Sequence, residues 1–194
     1  MKYNWNEFKT NEDKKIKNYD IVDKSIHKFI TYPILPTLVQ LGFTPNFITT
    51  ISLICGIISF VLISYDNYIC GSVFFMLRYI ADCLDGAVAR LTKQTSEFGD
   101  IMDHCVDYFT FILFYISCYT KNFSNIFMII LHIFLFSSII HYALIYRKTK
   151  KGIIYTLTKW IPIDENMFKW TKYFSTGMLT LFCSVGIFLH KYKN

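Results

Sequence analysis

Four aspartates stand close together in a chain that is otherwise mostly apolar: Asp82 and Asp85, three residues apart, and Asp103 and Asp107, four apart. On helices those spacings put each pair on one face. Between the pairs lies a polar hinge, LTKQTSEF, residues 91–98. Two antiparallel helices joined there would bring four carboxylates into one cavity. Facing anions repel, and each charge at the middle of a membrane costs on the order of 3 kcal/mol. A pair of divalent cations is the simplest stabiliser. Oxygen-only ligands favour magnesium, manganese or calcium over zinc. Two hard cations suit a diphosphate substrate, because they neutralise its charge and stabilise the leaving phosphate. The neighbours agree with this chemistry. Gly86 and Gly99 permit close approach to the backbone, Ala89 shares a face with Asp85, and Arg90 can reach a phosphate or fix the hinge. A single intramembrane Asp reads equally well as half of an ion pair, for instance Asp82 with Arg78. Four Asp with two Gly and an Arg at these spacings do not.

The elements that must position these residues are membrane helices. Of the 194 residues, 53% are hydrophobic and the mean hydropathy is +0.33, above the roughly 45–50% apolar content of soluble domains. A hydrocarbon core about 30 Å thick needs roughly 20 helical residues. Phe47 to Ser64 supplies a first span, with Thr44 as N-cap and Pro45 at the first helical position. Tyr68 to Arg90 is a second, interrupted by Arg78, Asp82 and Asp85. Gly99 to Tyr119, Ser124 to Tyr146 and Phe174 to Leu189 follow. GIIYTLTKWIPI, residues 152–163, is a weak sixth that reads as either a short tilted span or a surface helix. Ser25 to Gly42, apolar but broken by Pro33 and Pro36, predicts an interfacial helix before the first span. The fold class is therefore all-α, a polytopic bundle of five to six transmembrane helices with an N-terminal interfacial helix. Residues 1–24 read as a polar, solvated or partly helical cytoplasmic tail, without the apolar core of a signal peptide, and residues 25–194 as the membrane domain.

Charge sets the expected orientation. Of the formal +6, the basic residues gather at the N-terminus and in loops, including Arg147, Lys148, Lys150 and Lys151 after the fourth span. That places the N-terminus, the Asp-rich hinge and this loop on the cytoplasmic side. The Lys residues form no nucleic-acid stripe, so no nucleic-acid partner is expected. The six cysteines contain no CxxC and fall mostly in apolar runs, which excludes a zinc ribbon and suggests small buried side chains.

Asp82-x-x-Asp85-Gly86-x-x-Ala89-Arg90, then eight residues to Gly99, three to Asp103 and three to Asp107, resembles the signature of the CDP-alcohol phosphotransferase family. TPNFITTISLICG, residues 44–56, is similar to the family's first span. The resemblance implies a membrane-embedded enzyme of phospholipid synthesis, facing the cytoplasm and using two Mg2+ or Mn2+ ions. It implies metal ligation by Asp82, Asp85, Asp103 and Asp107, and Asp107 as general base. It implies CDP contacts from Asn46, Thr49, Asp82, Gly86, Ala89 and Arg90. An alcohol would attack the β-phosphorus of a CDP-linked donor and CMP would leave. A homodimer among membrane lipids is implied by the same resemblance.

Two branches stay open. One transfers a phosphatidyl group from CDP-diacylglycerol to a small alcohol, and small size favours it. The other moves phosphocholine or phosphoethanolamine from its CDP form to diacylglycerol. His104, directly after the third Asp, is similar to that second branch. His104, Arg147 and Lys148 are candidate acceptor or auxiliary residues. Prenyl transfer also uses Asp-bound magnesium, but with other spacings and without the Gly-x-x-Ala-Arg segment. A carboxylate-lined divalent-cation transporter is the non-enzymatic rival, and would not need the CDP-contacting positions.

Overall fold

The computed structural model describes residues 4–17, 19–149, 153–160, 162, 164–192, with the side chains of residues 148, 149, 153, 154 and 165 outside that description. All regular structure among them is helical. Ten α-helices run in order: α1 (Trp5–Ile16), α2 (Ile21–Ile26), α3 (Tyr32–Gln40), α4 (Pro45–Ser64), α5 (Tyr68–Thr92), α6 (Glu97–Thr120), α7 (Asn125–Thr149), α8 (Ile153–Thr158), α9 (Phe168–Thr171) and α10 (Thr176–His190).

Three helices are long and apolar enough to cross a membrane: α4, α6 and Asn125–Arg147 of α7. Large apolar side chains such as Ile54, Ile112, Ile133 and Phe136 stay exposed on their outer faces, as lipid-facing positions do. The second expected span, α5, has 25 residues and is long enough, but its charged face turns inward. The last, α10, has 15, about 22 Å of helix. Among its described residues, the segment read as a weak sixth span holds the six-residue α8, about 9 Å long, so α8 does not cross a ~30 Å core. Lys159 and Pro162, polar and helix-breaking, stop it there.

Small residues let the bundle close. The Thr110 side chain of α6 fills the space beside Gly56 of α4, and a Cβ on Gly71 would come within 2.7 Å of Ile63 Cγ1. Ser52 and Ser59 of α4 donate to the Arg78 and Gly71 carbonyls of α5 at 3.0 and 2.8 Å. These are close, polar-stitched approaches of the kind that hold helices together in lipid. α4 packs against both α5 and α6, and so holds the two Asp-bearing helices across a shared space.

The N-terminal region, expected to be solvated or partly helical, is helical and packed against the bundle. α1 packs on α5, with Phe8 and Glu12 buried. Phe8 joins Tyr32, Leu35, Leu84 and Val88 in one apolar cluster. Residues 21–40 form a nearly continuous helix with a π turn over His27–Thr31, where the Tyr32 amide bonds back to the His27 carbonyl. Pro33 and Pro36, which lack amide protons, lie just beyond that turn, and such substitutions re-register a helix locally. Asp20 caps α2 by accepting from the Asp23 amide at 2.8 Å. Its other oxygen accepts from Ser175 Oγ at 2.7 Å and the Met178 amide at 2.9 Å, at the start of α10. One buried carboxylate thus ties the chain's beginning to its last helix.

Candidate functional site

The hinge is built as its sequence suggests. Lys93 ends α5 in the left-handed region, φ 59°, and the Gln94 amide returns to the Ala89 carbonyl at 2.9 Å. Ser96 then caps α6, accepting from the Gly99 amide at 3.0 Å. This sharp reversal turns Asp82 and Asp85 toward Asp103 and Asp107. All four line a cavity of about 300 Å3.

Asp82, Asp85 and Asp103 each offer an oxygen within 4.8 Å of the others. Oδ1 of Asp103 is buried without a hydrogen-bond partner. Three converging carboxylates, one of which carries an unpartnered oxygen, fit a hard divalent cation. Asp107 stands beside this trio, with its Oδ1 held by Arg78 Nη2. The ion-pair alternative considered for Arg78, with Asp82, is therefore replaced by one with Asp107. Arg78 is 5% exposed.

The other expected contacts divide. Thr49, 4% exposed, donates its hydroxyl to Asp85 Oδ2 at 2.6 Å. Gly86 makes room for Arg90: a Cβ there would lie 2.9 Å from Arg90 Nη1. The Arg90 guanidinium is gripped from the other side by Glu12, at 2.9 Å from Nε and 2.6 Å from Nη2. Ala89 is half-buried, and Asn46 is exposed beside Gly99, outside the lining of the cavity. His104 lines the cavity, its ring 3.8 Å from Asp103 and 3.9 Å from Asp100. Arg147 is turned to the Thr158 carbonyl at 2.9 Å and does not line that cavity. The side chain of Lys148 lies outside the described residues.

Sequence reasoning missed the N-terminal contribution. Lys15, Tyr19, Asp23 and His27 line the same cavity. Burial pushes His27 down to about 4 and, reinforced by Asp20, pushes Asp23 well above the usual carboxylate range. The available signal was faint: Trp5, Phe8 and Glu12 share a helical face inside an otherwise charged run.

A family model described as CDP-alcohol phosphatidyltransferase matches residues 43–189, most of the chain. The chain belongs to this family. It is 29% identical over 117 residues to a bifunctional IPC transferase and DIPP synthase of Aquifex aeolicus (strain VF5), covering 54% of this chain and 27% of that protein. It is 34% identical over 71 residues to an archaetidylinositol phosphate synthase of Pyrococcus horikoshii (strain ATCC 700860 / DSM 12428 / JCM 9974 / NBRC 100139 / OT-3), covering 37% of this chain and 38% of that protein. The chain thus spans well under half the length of each of these relatives. No solved structure matches it.

Proposed function

We propose that the protein transfers a phosphatidyl group from CDP-diacylglycerol to a small alcohol, releasing CMP. The observation that carries this reading is the convergence of Asp82, Asp85 and Asp103 oxygens within a family signature that also supplies Gly86, Ala89 and Arg90. Two divalent cations, Mg2+ or Mn2+, would be held by Asp82, Asp85, Asp103 and Asp107, and would supply positive charge to the diphosphate and to the departing CMP.

The chain's own residues do the rest. Thr49 orients Asp85 within the cluster, and Arg90 over Gly86 receives the nucleotide side of the donor. Asp107, steadied by Arg78, accepts the proton of the acceptor hydroxyl. The acceptor oxygen forms a bond to the β-phosphorus, the bond from that phosphorus to the bridging oxygen breaks, and its electron pair leaves on CMP. His104, which lines the cavity, borders the acceptor side. One of the two relatives is by name an archaetidylinositol phosphate synthase, which favours a phosphorylated polyol as acceptor. The basic residues after α7 favour a site facing the cytoplasm. A homodimer in the bilayer belongs to the same reading, and cross-linking in native membranes tests it.

The test is CMP release by protein in lipid with Mg2+ or Mn2+. CDP-diacylglycerol is paired with inositol phosphate, glycerol phosphate, inositol or serine. CDP-choline or CDP-ethanolamine is paired with diacylglycerol in parallel. Release with CDP-diacylglycerol and one of the small alcohols is expected. Release only with the CDP-aminoalcohols assigns the protein to the other branch. Divalent-cation flux without CMP in any pairing contradicts both.

A further inference from the structure

Arg90 lies five residues beyond Asp85 on α5, about 7.5 Å further along the axis. That step leads from the carboxylate cluster toward the hinge. One edge of the guanidinium is in use. Nε and Nη2 are occupied by Glu12, while Nη1 lies over Gly86 and makes no hydrogen bond among the described residues. Arg90 and Gly86 both line the cavity that holds the aspartates. Glu12 is 3% exposed, so releasing Arg90 would leave a buried carboxylate without its cation. The pair is therefore a fixture, and its fixed geometry leaves one nitrogen free to face a ligand. A two-pronged grip of this kind holds the guanidinium plane as well as its charge.

Glu12 belongs to α1, outside the matched residues 43–189. The same N-terminal segment places Lys15, Tyr19 and His27 against the cavity. His27 is 4% exposed and its Nδ1 is buried without a hydrogen-bond partner. Asp20 anchors the segment to α10.

We propose that Glu12 is a positioning residue for the donor: it fixes Arg90 so that Nη1 meets the nucleotide's oxygens, and the N-terminal segment forms one wall of the donor site. This rests on the proposed CDP-linked donor. The test is CDP binding to the full-length protein in lipid with Mg2+, by calorimetry, alongside donor KM and kcat. Glu12→Gln is expected to weaken CDP binding about tenfold and raise donor KM similarly, with kcat changed less than twofold. Arg90→Lys should weaken binding comparably, and the double variant should be no worse than Arg90→Lys alone, because the two residues act through one contact. Glu12→Asp keeps the charge one methylene short, and should fall between wild type and Glu12→Gln if the latter folds poorly. Unchanged or tighter CDP binding in these Glu12 variants, or effects that add to those of Arg90→Lys, overturns the positioning role. Failure of the wild-type protein to bind CDP at all overturns the donor reading itself.

Discussion

Replacing Thr49 by Val removes one hydroxyl and little volume. In the folded protein that hydroxyl donates to Asp85 Oδ2 at 2.6 Å, with both residues 4% exposed. It also lies 3.2 Å from the Pro45 carbonyl, but a hydroxyl has one proton and the shorter contact to a carboxylate is the stronger. A hydrogen bond to a charged group contributes about 1.5–3 kcal/mol. Asp85 presents its carboxyl group to the oxygen cluster, so Thr49 stands to it as an outer-shell partner. Such partners change metal affinity roughly 10–100-fold, which agrees with 1.4 kcal/mol per factor of ten. The assay is CMP release titrated with Mn2+ at saturating donor. The half-saturating Mn2+ concentration should rise at least tenfold in Thr49→Val, while Thr49→Ser, which restores the donor, stays within a few-fold of wild type. An unchanged Mn2+ requirement, with the loss falling instead on donor KM, would show that Thr49 serves the nucleotide directly and refute the positioning of Asp85.

Further outcomes follow from single contacts. Asp107→Asn should lower turnover by about 10²–10⁴, with a lower melting temperature from the loss of the Arg78 pair but a protein that still folds in detergent; retained turnover removes Asp107 as the base. Asp20→Ala deletes acceptors for the Asp23 amide, Ser175 Oγ and the Met178 amide, and should cost roughly 1–3 kcal/mol, read as a lower melting temperature and faster amide exchange at the start of α10. Asp23 has its carboxyl raised in the folded state. Its neutral form is therefore the favoured one, and the stability it contributes is full below the ordinary carboxylate range and lost as pH rises through the raised value. The melting temperature of Asp23→Asn should gain on wild type as pH increases over that window, and a pH-independent difference would contradict the assignment.

Much of the centre could be read in advance because its determinants are local. Spacings of three and four residues put carboxylates on one helix face, and a Ser-capped polar hinge reverses the chain, so the meeting of Asp82, Asp85 and Asp103 follows from a short stretch. Thr44 and Pro45 likewise announce the start of α4. The N-terminal region was opaque for the opposite reason. Glu12 finds Arg90 across 78 residues, and Asp20 finds Met178 across 158. A buried charge paired that far away looks, in sequence, like any solvated charge. Arg78 shows the same limit at shorter range: Asp82, four residues on, is the local partner, yet α6, held opposite α5 by α4, supplies Asp107 instead. Arg147, a candidate acceptor or auxiliary residue from the sequence, has its guanidinium taken by the Thr158 carbonyl at the end of α8, a contact that no local spacing announces.

The carboxylate cage is tested most directly by Mn2+ binding, followed by electron paramagnetic resonance on the protein in lipid, with and without CDP. Two bound Mn2+ ions per chain, coupled to each other, tightened by CDP and lost in Asp82→Asn and Asp103→Asn, are the predicted result. Mn2+ binding that is indifferent to both substitutions and to CDP would contradict it.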